Sequence, residues 1–164
     1  MKKYIYTILV FFISMMDFAF SASPISVHKN WTLFKSVVNK KEMCYIVSLP
    51  TKKEGNYKRR GEPYALVSRI KGSDYDEVSM SSGFLYDPDK DIEVSISKRK
   101  FPMFSNEEKA GAYDRNDDVE MVKYMKKGTS MNVVGYSKLG FMANDTYSLM
   151  GFSEAYDNMI KLCK

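Results

Sequence analysis

The sequence predicts a mainly β fold, an antiparallel β-sandwich or open barrel of about seven or eight strands with one late helix and one C-terminal helix. Three observations support this prediction. Short segments alternate apolar and polar side chains with the period of a strand. Polar turn sequences separate these segments, and helical spacing is confined to two late segments. A parallel sheet would need a helix after most strands, and the first hundred residues contain none.

Residues 1–21 have the features of a secretory signal peptide that is cleaved from the exported chain. Two lysines precede a mainly apolar run of 12 residues, and small residues follow it. Asp17 ends the run well before the roughly 20 apolar residues that a membrane span requires. We expect cleavage after Ser21, or alternatively after Ala22, which leaves one domain over residues 22–164 without a membrane span.

Composition and charge describe a folded basic protein. The chain is 45% hydrophobic, 27% charged and 14% aromatic, which is the composition of a globular domain. Its net charge is +5, and loss of two lysines and one aspartate with residues 1–21 leaves +4. Such a protein is drawn to anionic surfaces such as phospholipid heads or sulfated glycans. Charge alone identifies no partner, and nothing points to a specific nucleic acid.

Five segments in the first hundred residues have the pattern of strands, after a polar leader or first edge strand over 23–30. The first two enclose the polar turn 39–42 and form a predicted hairpin. In the third, we expect Tyr64 and Leu66 to fill the interior. Arg69 shares the other face with small apolar side chains, so we expect it to be paired or near the sheet edge. The five segments are 31–38, 43–50, 63–70, 77–86 and 91–98.

Two later segments have helical spacing. The first is capped by Asn116 or Asp117 and ends at Gly128. The residues expected to pack this helix on the sheet are Val119, Met121, Val122 and Met125. The second helix is capped by Ser153 and places Cys163 on its inward face. The predicted strands between the helices are 129–137 and 145–152.

The chain has two cysteines, Cys44 and Cys163. Export places them in a compartment that oxidises thiols, where two cysteines allow one intramolecular pair. We therefore predict a disulfide that joins the last helix to a strand near the start. The alternative is an unpaired nucleophilic thiol, which would need a histidine partner.

A cluster of cations defines the segment 51–60, here called the basic loop. Its cations are Lys52, Lys53, Lys58, Arg59 and Arg60. One interpretation is a solvated connector whose charges prevent aggregation through sheet edges. The other is a docking surface for an anionic partner, with Tyr57 among the cations.

The usual catalytic side-chain sets are missing from the sequence. His28 is the one histidine, and its position beside the export site is typical of a solvated residue rather than a catalytic base. The aspartates of the turn 87–91 have calcium-loop spacing, but Ile92 and Lys98 stand where glycine and glutamate are needed. We predict no enzyme, no metal and no cofactor. Two carboxylates converging in a cleft, as in a glycan hydrolase, would be the remaining route to catalysis.

Several motifs stand in one order along the chain beyond residue 21. They are Trp31, Cys44, "GEPYALVSRI" at 61–70, "MKKG" at 125–128, "DTYSLMGF" at 145–152, and Cys163. Together they resemble the invasion-associated locus B family of exported proteobacterial proteins. The resemblance implies a mainly β envelope-associated or secreted protein that is linked to host-cell invasion or virulence. It implies no cofactor and no catalytic residue, and it provides no counterpart for the basic loop.

Two functions follow from these expectations. In the first, a secreted or outer-membrane-associated virulence factor binds a host-cell or envelope component through loops on a disulfide-linked scaffold. In the second, a periplasmic maintenance or small-ligand-carrier protein holds its ligand in an apolar pocket between sheet and helices, without host contact. The fold cannot distinguish them, and the sequence leaves the oligomeric state open.

Overall fold

The structure is a computed structural model, and it describes residues 23–164. The predicted signal peptide lies outside the described residues. Eleven strands and two helices follow one another along the described chain. They are β1 (Ser26–His28), β2 (Trp31–Val38), β3 (Lys41–Ser48), β4 (Lys52–Gly55), β5 (Tyr64–Ile70), β6 (Glu77–Ser81), β7 (Ile92–Ile96), β8 (Arg99–Asn106), β9 (Lys109–Ala112), α1 (Arg115–Lys127), β10 (Ser130–Tyr136), β11 (Met142–Ser148) and α2 (Phe152–Leu162).

All eleven strands form one antiparallel sheet in the order β1-β2-β3-β5-β6-β9-β8-β7-β10-β11-β4. The strand β4 follows β3 after only three residues, yet it pairs with β11 at the far end of this order. The sheet is therefore curved, so that its last strand, β4, lies close to the end of β3. The predicted mainly β, antiparallel fold with two helices is confirmed, and the strands are more numerous than predicted.

Three strands lie where the sequence predicted none. The strand β4 is made of exposed charged residues and glycine, so it has no apolar alternation. In β8, Phe101 and Met103 are buried in alternation with exposed neighbours, but a basic start and Pro102 conceal the pattern. Proline is uncommon in paired strands because it lacks a donor. The strand β9 is four residues long and pairs with β6 and β8.

The inward face of β5 is the opposite of the predicted one. Ala65 and Val67 are fully buried, whereas Tyr64 and Leu66 are only half-buried. Both faces of this strand carry apolar side chains, so alternation by itself does not say which face packs on the core. By contrast, β7 buries Ile92, Val94 and Ile96, as predicted.

Both helices begin earlier than predicted. Asp114 caps α1 by accepting hydrogen bonds from the backbone N–H of Asn116 and of Asp117, at 2.8 and 3.0 Å. Within α1, Val119 is 59% exposed instead of packed on the sheet. The residue before α2 is Gly151, which has a φ of 89° and offers no side-chain cap. Ser153 instead donates to the carbonyl of Lys126, in the last turn of α1.

The core lies between the inner face of the sheet and the two helices. Trp31 is fully buried, contacts Phe152 edge to face with ring centroids 4.9 Å apart, and donates its indole N–H to the carbonyl of Ser148. Helix α2 packs on β1, β2 and β3, while α1 packs on β6 and β9. The predicted disulfide is confirmed, since Cys44 in β3 is bonded to Cys163 at the end of α2 and both are fully buried.

Candidate functional site

The basic loop is largely neutralised by acidic side chains. Lys52 and Lys53 belong to β4, where pairing with β11 fixes their backbone. The ammonium of Lys52 lies 2.9 Å from Glu54, and that of Lys53 lies 2.5 Å from Glu62. Exposed pairs of this kind contribute little to stability, but they lower the positive charge that a partner would meet.

Arg60 is not on the surface. Its side chain is 4% exposed and donates from Nη1 and Nη2 to the two carboxylate oxygens of Asp145, at 2.6 and 2.5 Å. A third bond goes from Nη1 to the carbonyl of Ser82 at 3.0 Å, and the guanidinium lies over the ring of Tyr57. Burial opposes the charge of Arg60, yet its hydrogen bond to Asp145 prevails and raises the pKa of Arg60 above its usual value. Arg60 therefore fastens the basic loop to β11.

Lys58 and Arg59 remain exposed, and neither forms a salt bridge within residues 23–164. Of the five predicted cations, these two are both exposed and without an acidic partner in the described part of the chain. Binding of an anionic partner by the basic loop stays a prediction.

A second basic surface lies beside the C-terminal helix α2, and we call it the basic groove. It encloses about 410 Å³ beside the second half of α2. Its cations come from β5, the end of α1 and the end of the chain. They are Arg69, Lys126, Lys161 and Lys164. The remaining lining residues are Tyr156, Asp157 and Ile160.

Tyr156 organises the floor of the basic groove. Its hydroxyl donates to Asp76 at 2.6 Å, and the same carboxylate accepts two hydrogen bonds from Arg69, at 2.6 and 2.9 Å. The prediction that Arg69 is paired is therefore confirmed. Burial, followed by the hydrogen bond to the Asp76 carboxylate, raises the pKa of Tyr156, because both oppose a phenolate. The floor is a fixed network of hydrogen bonds.

The rim of the basic groove carries its available charge. Lys126 lies 4.3 Å from the ring centre of Tyr156 and 2.8 Å from Asp157, so its charge is partly compensated. Lys161 and Lys164 are exposed and form no salt bridge in the described part of the chain. Two ammonium groups next to a rigid floor can bind a carboxylate, sulfate or phosphate group.

Sequence reasoning missed the basic groove because its cations are far apart in the chain. Residue 69 belongs to a strand, residue 126 to the end of α1, residue 161 to the last turn of α2, and residue 164 follows that helix. The one local signal was the spacing of three between Lys161 and Lys164, which is common at helix ends because cations suit the dipole there.

Two further findings concern the described residues 23–164. No group of three histidine, cysteine, aspartate or glutamate side chains lies close enough together to hold a metal ion. No helix in this part of the chain has the length and apolar character needed to cross a membrane.

Comparisons with known proteins give a family and a fold. A family model described as "Invasion associated locus B (IalB) protein" matches residues 31–160. A similar solved structure is the crystal structure of invasion associated protein b from Bartonella henselae, with a TM-score of 0.60 and 15% sequence identity. That match covers 84% of this chain and 95% of the other, and at this identity it shows a shared fold. No curated protein matches the chain significantly.

Proposed function

Because the chain belongs to the invasion associated locus B family, we propose that it is an exported protein that supports host-cell invasion by binding a partner. The proposed location is the periplasm, the outer membrane or the secreted medium, after removal of the signal peptide over residues 1–21. The proposed action is binding, with no chemical step at the basic groove. The partner is a host-cell or envelope component that presents anionic groups.

The observation that carries this proposal is the basic groove. Lys161 lies in the last turn of α2 and Lys164 follows the helix directly after Cys163, which the disulfide bonds to β3. A site held rigidly before binding loses less conformational entropy when the partner arrives. The unpaired cations of the basic loop lie on the connection between β4 and β5, outside any strand or helix. The other three of its five cations already have acidic partners. The basic groove is therefore the better candidate for an anion site.

The test compares two variants that remove the same charge from different places. In the first, Lys161 and Lys164 are changed to alanine; in the second, Lys58 and Arg59 are changed to alanine. Each loses two positive charges, so attraction by net charge falls equally in both. The measurement is the salt concentration that elutes each full chain from an immobilised sulfated glycan.

We expect the groove variant to elute at clearly lower salt than the loop variant, and bacteria carrying it to invade less. Equal elution would mean that only net charge matters, and earlier elution of the loop variant would assign the site to the basic loop. Antibody labelling of intact cells tests the location. Failure of labelling together with a positive periplasmic extract would contradict direct contact with a host.

A second candidate function is that of a periplasmic small-ligand carrier. It is favoured by an apolar pocket of about 360 Å³ between the first two strands and α2, with Ile25, Leu33 and Leu162 in its wall. A carrier should bind an apolar fluorescent probe at this pocket, and Ile25→Asp should abolish that binding, since Ile25 lines the pocket but is 49% exposed and lies outside the core. A growth defect of the deletion strain that is as large without host cells as with them would favour this role over invasion.

A further inference from the structure

His28 is surrounded by polar side chains and is not the solvated residue that the sequence indicated. Its side chain is only 10% exposed. Its Nε2 lies 2.9 Å from the hydroxyl of Ser26 and 3.3 Å from the side-chain amide of Asn158. Its Nδ1 lies 3.3 Å from a carboxylate oxygen of Glu154. A hydroxyl, an imidazole and a carboxylate thus stand in one row.

Regular secondary structure produces this row. Ser26 and His28 are two residues apart on β1, so their side chains lie on the same face of the strand. Glu154 and Asn158 are four residues apart on α2, so they lie on the same face of the helix. Because α2 packs on β1, the two faces meet. Pairing of β1 with β2 holds the strand in place.

The carboxylate of Glu154, whose side chain is 70% exposed, lies beside Nδ1 and therefore favours Nε2 as the base. A carboxylate accepts hydrogen bonds, so it favours the tautomer of His28 that carries its proton on Nδ1. The lone pair of Nε2 then faces both the Ser26 hydroxyl, at 2.9 Å, and the donor Nδ2 of Asn158, at 3.3 Å, and the nearer Ser26 can transfer its proton to it. This is the arrangement by which a serine, a histidine and an acid perform acyl transfer in unrelated folds.

An apolar pocket opens beside the hydroxyl. The pocket of about 360 Å³ is lined by Ser26, Asn158 and Lys161 together with Ile25, Leu33 and Leu162. An aliphatic chain that fills it would bring its carbonyl group to the polar end, where Ser26 stands. One N–H of the Asn158 amide faces Nε2 of His28, which leaves its second N–H to stabilise the negative oxygen of a tetrahedral intermediate.

We propose that this row is the active site of an ester hydrolase that acts on esters of aliphatic acids. Ser26 is the nucleophile, His28 is the general base, and Glu154 is a positioning residue that orients the imidazole. This activity goes beyond the proposed role in partner binding, and its pocket shares Lys161 but not the floor with the basic groove.

The reaction balances with water as the only co-reactant. Ser26 Oγ attacks the ester carbonyl carbon and its proton passes to His28 Nε2. The intermediate collapses, the bond from carbonyl carbon to alkoxy oxygen breaks, and the alcohol leaves with that proton. Water then attacks the acyl-serine carbonyl and gives a proton to His28. The acid departs, and the proton returns to Ser26.

The first test uses the full chain with p-nitrophenyl butyrate and with a fluorophosphonate that labels activated serines. We expect turnover, and labelling at Ser26 located by mass spectrometry. Ser26→Ala should lower turnover at least about 100-fold and abolish labelling, since a positioned nucleophile and base contribute at least that much. Ser36→Ala is the matched control, because Ser36 lies on the adjacent strand β2 and should leave both signals unchanged.

A second variant separates catalysis from a structural tie between β1 and α2. Glu154→Gln should lower kcat and leave KM unchanged, and Glu154→Asp should restore part of the rate. Ser26 is only half-buried, so the melting temperature of Ser26→Ala should stay close to that of the parent. The proposal is overturned if the folded parent chain shows neither labelling nor turnover above buffer, or if Ser26→Ala keeps both. It is also overturned if Glu154→Gln changes the melting temperature and not kcat.

Discussion

Arg60 and Asp145 are joined by a buried ion pair with two hydrogen bonds. Their side chains are 4% and 1% exposed, so loss of either partner would leave the other charge buried without compensation. The guanidinium also satisfies the carbonyl of Ser82. Residue 60 therefore has a structural role, and alanine substitutions across the whole basic loop would mix unfolding with loss of binding.

The first prediction concerns this pair. Arg60→Ala should lower the free energy of unfolding by about 3–5 kcal/mol, because it leaves the carboxylate of Asp145 buried without an opposite charge. Urea denaturation monitored by circular dichroism measures this change. Lys58→Ala with Arg59→Ala is the control, and it should change the free energy by no more than about 0.5 kcal/mol per site. A cost below about 1 kcal/mol for Arg60→Ala would show that the pair is solvated.

The hydroxyl of Tyr147 is also buried, but unlike the Arg60–Asp145 pair it is not hydrogen-bonded within the described residues. The residue is fully buried, and its oxygen has no hydrogen-bond partner among the described residues. Burial and the nearby Asp145 carboxylate raise the pKa of Tyr147, so the group is a neutral phenol. A buried hydroxyl without a partner carries a desolvation penalty.

The second prediction is that Tyr147→Phe stabilises the protein by about 1 kcal/mol, because it removes that penalty and keeps the ring. Tyr86→Phe is the matched control, because the hydroxyl of Tyr86 donates to Ser82 at 3.0 Å. Loss of this hydrogen bond should lower the free energy of unfolding by about 1 kcal/mol. Thermal denaturation of both variants gives the sign of each change. Destabilisation by Tyr147→Phe would mean that an ordered water satisfies the hydroxyl.

At the scale of elements, the segment that precedes β5 is hydrogen-bonded to the turn that follows β6. The backbone N–H of Gly61 donates to the carbonyl of Gly83 at 2.7 Å. Gly83 has a φ of 74°, and a Cβ added there would collide with the carbonyl of Gly61. This close approach of two backbones holds the residue that follows Arg60, and so helps to place Arg60 beside Ser82 and Asp145.

The third prediction compares two glycines of similar backbone conformation. Gly72 has a φ of 80° and open space around it, so Gly72→Ala should cost only the roughly 1–2 kcal/mol of the left-handed conformation. Gly83→Ala should cost clearly more, because the backbone of Gly61 must also move. Urea denaturation measures both. Equal costs would mean that the loop before β5 shifts freely.

At the scale of the whole molecule, one disulfide joins the two ends of the described fold. Cys44 and Cys163 are 119 residues apart, so their bond closes most of the domain into a loop. It also holds the end of α2 against β3, and with it Lys161 in the helix and Lys164 just after it. Stability and the geometry of the basic groove therefore depend on the same bond.

The fourth prediction is that Cys44→Ala with Cys163→Ala lowers the free energy of unfolding by roughly 4–5 kcal/mol, in the chain-entropy estimate for a loop of this length. The parent protein in a reducing agent should shift by a similar amount. Chemical denaturation with and without reductant tests both expectations. A reductant that shifts the double variant as much as the parent would mean that the effect does not come from this bond.

The sequence by itself determined the fold class, the two helices and the disulfide. Alternation is a local property, so it identified the inward residues of β7, and two cysteines have one way to pair within a chain. Only the tertiary structure decided the strand β4, the inward face of β5, the buried role of Arg60, the basic groove and the surroundings of His28. Each of these depends on residues that lie far apart in the chain and meet through sheet register and helix packing, as Arg60 meets Asp145 and His28 meets Glu154. A local pattern records the period of a strand or helix, but it does not record which distant strand or helix will lie beside it.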